Sequence, residues 1–343
     1  MGRLPYLRPL KILIVTPSPR PEAIAEAVWT GNRVTSERWA HMLRGLGHSV
    51  RVTPAYRGED CHLLVALHAR KSFPSIRRFR REHPRAPVVV VLTGTDLYAD
   101  LRRSARARRS LELATRIIVL QPLATREVPA RYRGRVRVIR QSADRPPGRI
   151  ARRKDVFEVC VLANLRAVKD PLRIAGSARL LPAGSRIVVL HLGAPIDGRL
   201  RARARKESAS NPRYRWLGAV PHWRALRILG RSHLLVLTSR LEGGANVISE
   251  ALAASVPVIS SRMAGSIGIL GTDYPGYFPV GDTRALAAQL RRAEADPAHY
   301  ARLQRGCRRK RFLVSPARER QAWARLLRGL APPAATSPPY NRG

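Results

Sequence analysis

Short apolar runs recur through the first 140 residues, and between them lie stretches with helical spacing. The runs occupy 11–16, 48–53, 62–67, 87–93, 116–121 and 135–140. The clearest helical stretch spans 33–46, where Val34, Trp39, Met42, Leu43 and Leu46 recur on one face and Gly47 stops the helix. Such alternation predicts an α/β fold with a parallel, doubly wound sheet. Asp144-Arg145-Pro146-Pro147-Gly148 breaks the rhythm, and a basic segment, 149–154, follows. The second half then restarts, with strands expected at 156–162, 185–191, 234–238, 256–260 and 277–280 and helices at 282–295, 297–311 and 315–330. The reading is therefore two domains, 10–145 and 155–314, joined by a linker at 146–154. Residues 1–9 read as a flexible N-terminus, and the Pro/Ser-rich 331–343 as a disordered tail.

The chain has 64 basic against 23 acidic residues, a net charge of +41. Such a charge invites a nucleic-acid partner. However, Lys11, Lys71, Lys154, Lys169, Lys206 and Lys310 are the only lysines, and the arginines spread along the whole chain. That pattern fits a compositional bias towards Arg better than a dedicated patch. No nucleic-acid-binding signature accompanies it, so nonspecific polyanion binding at low salt is the expectation. Cys61, Cys160 and Cys307 lie far apart; the first two adjoin apolar strands and read as buried thiols. No spacing suggests zinc. No apolar run approaches a membrane span, and the run 11–15 is too short for a signal-peptide core. The chain reads as cytoplasmic.

One segment concentrates chemistry. Leu241-Glu242-Gly243-Gly244-Ala245-Asn246-Val247-Ile248-Ser249-Glu250 follows an apolar run at 233–238 and precedes another at 257–260. The order is strand, glycine turn, helix, strand. Gly243 and Gly244 allow close backbone approach to a ligand, and helix-start amides favour anions. Glu242 stands at the turn, and Glu250 lies two helical turns on, able to accept bonds from a neutral diol. A phosphate flanked by sugar hydroxyls fits; a surface helix with two scattered acids is the plainer alternative. Just after an earlier strand, 163–171 carries Arg166 and Lys169. Two cations at a strand end would neutralise a pyrophosphate, or would simply be solvated on a basic protein. In the first half Thr30-Gly31-Asn32-Arg33 opens a helix whose N-terminus favours phosphate, or merely caps it. No GxGxxG points to a dinucleotide. Two more strand ends carry polar residues, His68-Ala69-Arg70-Lys71-Ser72 and Thr93-Gly94-Thr95-Asp96. In open α/β sheets these ends form the site. There is no Asp-x-Asp; Asp96 and Asp100 stand four apart on an expected helix.

The run from Glu242 to Leu252 resembles the sugar-nucleotide site of GT-B glycosyltransferases, specifically the retaining family 4 group. The resemblance implies two Rossmann-like domains facing a cleft, with the last helix, 315–330, returning to the first domain. It implies a UDP-sugar donor, held at its ribose by Glu250 and at its sugar by Glu242. Arg166, Lys169 and the amides of Gly243, Gly244 and Ala245 would hold the diphosphate, with Asn246, Gly31 and Asn32 beside it. Residues 216–221, including Val220, resemble the segment that frames the nucleobase, and read equally as a strand end and turn. The family pattern of Gly-Arg-Leu with a Lys five residues after the Arg is met by Lys169, but Asn164 stands at the Arg position. Arg166 is the substitute one step along. His68 and Asp96 match the His or Asp often found near the acceptor.

Several peptides together are similar to a narrower group, the selenosugar synthases of selenoneine biosynthesis: 30–35, 66–72, 92–98, 119–124, 165–171, 242–254 and 273–282. That similarity implies a transferase joining selenophosphate to the anomeric carbon of a UDP-sugar, typically UDP-N-acetylglucosamine. The products would be a selenosugar, UDP and phosphate, and a partner selenoneine synthase would consume the selenosugar. Arg33, Arg70, Lys71 and Thr95 would receive selenophosphate. Its selenium is already a strong nucleophile, so no strong base is needed. No cofactor or metal is expected, since both small molecules are substrates. An O-glycosyltransferase with another acceptor and a nonenzymatic polyanion-binding protein are the competing readings.

Overall fold

A computed structural model describes residues 9–17, 30–145 and 151–330. The expected N-terminal segment (but for Pro9), the first five linker positions and the C-terminal tail lie outside the described residues. The first half contains β1 (Lys11–Val15), α1 (Gly31–Arg44), β2 (Ser49–Thr53), β3 (Leu63–Leu67), α2 (Phe73–Glu82), β4 (Val88–Leu92), α3 (Leu101–Arg103), α4 (Ala105–Leu113), β5 (Arg116–Val119) and β6 (Val136–Val138). Its six strands run in the order β2-β1-β3-β4-β5-β6, all parallel. The near-continuous apolar strands bury both faces, as a sheet covered on two sides requires. Leu13 and Val15 face one layer with Ile76, Phe79 and Leu111. Ile12 and Ile14 face the other with Trp39, Leu43 and Trp323.

The second half contains β7 (Phe157–Leu162), α5 (Arg173–Arg179), β8 (Ile187–Leu192), α6 (Gly198–Ser210), β9 (Tyr214–Trp216), α7 (His222–Arg231), β10 (Leu234–Leu237), α8 (Asn246–Ala253), β11 (Val258–Ser261), α9 (Ala264–Leu270), β12 (Tyr277–Phe278), α10 (Thr283–Ala295), α11 (Pro297–Lys310) and α12 (Pro316–Arg328). The sheet order is β12-β11-β10-β7-β8-β9, again parallel. The strand order reverses at β1/β3 in the first sheet and at β7/β10 in the second. Ligands of such sheets bind at these reversal points, beyond the C-terminal strand ends.

The helix expected at 33–46 is α1, which begins and ends two residues earlier. Thr30 caps its start by accepting from the Arg33 amide at 3.3 Å. At the other end the Gly45 amide returns to His41 O, and Gly47 at φ +90° turns the chain into β2. β9 was absent from the expected strands, with only its end at Trp216 recognised; three residues are too few to show alternation.

α12 packs on the first sheet. Trp323 meets Trp39 edge-on at 4.9 Å between ring centroids, and Leu326 and Leu327 complete that layer. The buried Glu319 carboxylate accepts from Trp39 Nε1 at 2.6 Å, Arg38 Nε at 3.1 Å, the Ser142 amide at 2.9 Å and the Ser142 hydroxyl. Where α12 is approached, the Ala143 amide donates to Val314 O at 3.1 Å, so the chain's two passages between the halves run side by side. All three cysteines are buried. Among the described residues no helix is long and apolar enough to cross a membrane.

Candidate active site in the interdomain cleft

The two reversal points face each other across a cleft lined by residues of both halves. On the second-domain side, Lys169 ends a short turn after β7, and Asp170 in the left-handed region (φ +45°) redirects the chain. The turn is pinned to β10, because the Arg240 amide donates to Val168 O and Thr238 Oγ1 to Lys169 O, both at 2.9 Å. Lys169 Nζ hydrogen-bonds Glu242 Oε1, and Ser239 Oγ donates to the same oxygen at 2.7 Å. The Glu242 side chain is only 11% exposed. An unpaired charge there would be costly, and Lys169 supplies its counterion. An ammonium has three N–H donors, so Lys169 can hold Glu242 and still donate to a phosphate. α9 closes beneath this turn: a Cβ at Gly265 would stand 2.2 Å from Glu242 O.

Glu250 lies on α8, largely buried, with Oε1 2.9 Å from His222 Nε2. That bond raises the His222 pKa above its usual value, against the opposing effect of burial. Sequence reading missed His222. Its only signal was a polar side chain at a helix start, beside a strand end that opens on the cleft.

The glycine turn packs directly against the first domain. A Cβ at Gly243 would come within 2.5 Å of Thr93 O and 2.8 Å of Gly94 N. One at Gly244 would meet Leu120 Cβ at 2.6 Å. The glycines let the second domain close onto the first, with Gly244 also lining the cleft. Gly243→Ala is expected to destabilise the closed arrangement by about 1–3 kcal/mol, the usual cost of overpacking. Thermal unfolding should show a lowered Tm. Asn246 serves the same contact: Nδ2 donates to Gly31 O at 3.1 Å and Thr35 Oγ1 at 3.2 Å, while Oδ1 accepts from Arg38 at 3.2 Å. Asn32 Nδ2 donates to Thr93 Oγ1 at 3.4 Å. Gly31, Asn32, Ala245, Asn246 and Val220 all line the cleft.

On the first-domain side, His68 follows β3 with φ +70°, a strained conformation for a non-glycine residue. Its Nε2 is 3.1 Å from Thr95 Oγ1, and burial pushes its pKa down against the opposing charge of Asp96. Its Nδ1 is buried without a hydrogen-bond partner among the described residues. Three of the expected acceptor residues lie outside the cleft lining. Asp96 is fully buried, and its carboxylate accepts from the amides of Thr93, Gly94 and Ala69, each at 2.9 Å. It shapes the β3 and β4 loops and cannot meet a substrate. Arg70 bonds Asp100 at 2.9 Å and does not line the cleft. Arg33 is exposed on α1, also outside the lining. Asp96 and Asp100 sit on a π-helical turn, Asp96–Asp100.

Lys71 and Arg166 do come together, one from each domain. Burial lowers the Lys71 pKa, and the Arg166 charge lowers it further. Both line the cleft. Asn164 Oδ1 accepts from the Ala194 amide at 2.8 Å, joining the β7 and β8 loops, so the cation at this corner is Arg166.

Residues 145–310 match the family described as Glycosyl transferases group 1. Among curated proteins, none matches the chain. Among solved structures, a sucrose-phosphate synthase from Thermosynechococcus elongatus superposes with a TM-score of 0.76 at 16% identity, covering 94% of this chain and 99% of that one. HepE from Anabaena, in complex with UDP and glucose, gives 0.69 at 15%, covering 93% and 100%. A UDP-forming α,α-trehalose-phosphate synthase from Burkholderia vietnamiensis gives 0.64 at 16%, covering 80% and 75%. The two parallel sheets across a cleft are the GT-B fold. The family match covers the second domain.

Proposed function

We propose that the chain is a selenosugar synthase, transferring the sugar of UDP-N-acetylglucosamine to the selenium of selenophosphate. The C–Se bond forms as the anomeric C–O bond to UDP breaks. Water then cleaves the Se–P bond, leaving a selenosugar and phosphate. The observation that carries the acceptor is the pairing of Lys71 from the first domain with Arg166 from the second in the same cleft that Glu242 and Lys169 line. This is a small, strongly cationic corner suited to a compact, multiply charged anion. The resemblance of several peptides to those of selenosugar synthases supports the same reading, and HepE complexes with UDP and with UDP-glucose support the donor class. In this proposal Glu250 accepts from the ribose, Glu242 from the donor sugar, and Lys169 and Arg166 neutralise the leaving diphosphate. The α8 start contributes amides. His68 borders the reacting centre from the first domain. The reaction is cytoplasmic and needs no metal, because these side chains supply the positive charge.

Replacing Lys71 by Ala removes one charge-assisted bond, about 1.5 kcal/mol, and is expected to raise the selenophosphate KM about tenfold. The UDP-sugar KM should change little; equal effects on both would assign Lys71 to general electrostatics. The reading as a whole is tested by UDP release from UDP-N-acetylglucosamine with selenophosphate, thiophosphate, phosphate or no acceptor, with mass spectrometry of products. Release that depends on selenophosphate, with a selenosugar mass, is expected. Release indifferent to selenophosphate would mean another acceptor, and no release with any UDP-sugar would remove the donor assignment.

A further inference from the structure

We propose that His222 is a positioning residue for donor recognition: it fixes the Glu250 carboxylate so that one oxygen is held and the other faces a ribose diol. This rests on the donor reading of Glu250 given above. His222 opens α7 just beyond β9, and Glu250 lies on α8, so this bond at 2.9 Å ties two neighbouring helices of the second domain at the cleft. Both residues line the cleft. Among the described residues, Oε1 of Glu250 is engaged by His222, and Oε2 takes part in no hydrogen bond. A carboxylate has acceptor capacity on both oxygens, so Oε2 remains for a hydroxyl donor.

The energetic reason is preorganisation. A glutamate side chain loses substantial rotamer freedom when fixed, a cost that binding must otherwise meet. The His222 bond orders it beforehand. Neutral imidazole with its proton on Nε2 and imidazolium both donate through that nitrogen, so the hold persists across neutral pH.

Kd values for UDP and for 2′,3′-dideoxy-UDP, measured calorimetrically on wild type, His222→Ala and His222→Gln, test the idea. Wild type is expected to prefer UDP. His222→Ala should weaken UDP about tenfold, leave the dideoxy ligand nearly unchanged and abolish the preference. His222→Gln, whose amide can donate to Glu250, should restore it. An unchanged UDP Kd in the alanine variant, or equal losses for both ligands, would overturn the positioning role while leaving the donor site in place. If wild-type enzyme binds UDP without preferring it to the dideoxy ligand, Glu250 does not read the ribose and the inference falls with that assignment. Absence of UDP binding by the wild type would overturn the donor reading itself.

Discussion

A Lys169→Ala enzyme is expected to lose kcat by about 10²- to 10³-fold, the scale seen when one preorganised charge-stabilising donor is removed. The departing diphosphate gains negative charge in the transition state, and Lys169 stands at the β7/β10 reversal point where that charge develops. The substitution has a second effect. Glu242, 11% exposed, loses its counterion and keeps Ser239 Oγ at 2.7 Å. The carboxylate is then left without the cation that balances it, and the Lys169 bond no longer fixes how it meets a sugar hydroxyl. Steady-state UDP release and circular dichroism together check the expectation. A folded variant with kcat within a few-fold of wild type would take Lys169 out of the chemistry. A Lys169→Ala/Glu242→Gln double variant should show strong non-additivity, because the two side chains share one bond.

The largest expected loss of stability belongs to Glu319→Ala, about 3–5 kcal/mol, the cost of breaking a buried ion pair from one side. The carboxylate is 2% exposed and gathers the Trp39 indole, the Arg38 guanidinium and both donors of Ser142. Removing it leaves those donors without their acceptor and leaves the Arg38 charge, 18% exposed, without its partner. Urea unfolding of the full chain measures the difference in free energy. A change below about 1 kcal/mol would mean that water and local relaxation replace the carboxylate, and that the apolar contacts of Trp323, Leu326 and Leu327 alone hold α12.

The strands other than β9 were legible because they fall in compact apolar runs, the pattern of a parallel sheet buried on both faces. α10 and α11 announced themselves through Asp282 and Asp296 caps and apolar spacing. α6 gave no such signal, because its arginine-rich sequence buries only Ala204 and has no apolar stripe. In the cleft, Glu242, Glu250 and Lys169 were readable from residue type and position after a strand. The first-domain residues were less so, because residue type does not say what an acid is bonded to. Asp96 looks like a ligand in the sequence, whereas three backbone amides take up its oxygens. Arg70 looks like an anion binder, whereas Asp100 engages it. The glycine turn shows the same limit: sequence demands a close approach there but does not reveal that the approaching surface is the other domain.

The adjacent passages between the halves have a mechanical consequence. Two tethers placed far apart would lock the domains or confine them to a twist about the line joining them. Here the Ala143–Val314 bond brings both passages to one corner, and Glu319 clamps that corner to α1 and to Ser142. The molecule is therefore built like a book with a narrow spine, whose covers swing most at the edge farthest from the binding. The glycine turn lies close to that spine, since Gly244 abuts Gln141 and the Ser249 hydroxyl donates to Gln141 O at 2.8 Å, so its contact with the first domain changes little as the covers swing.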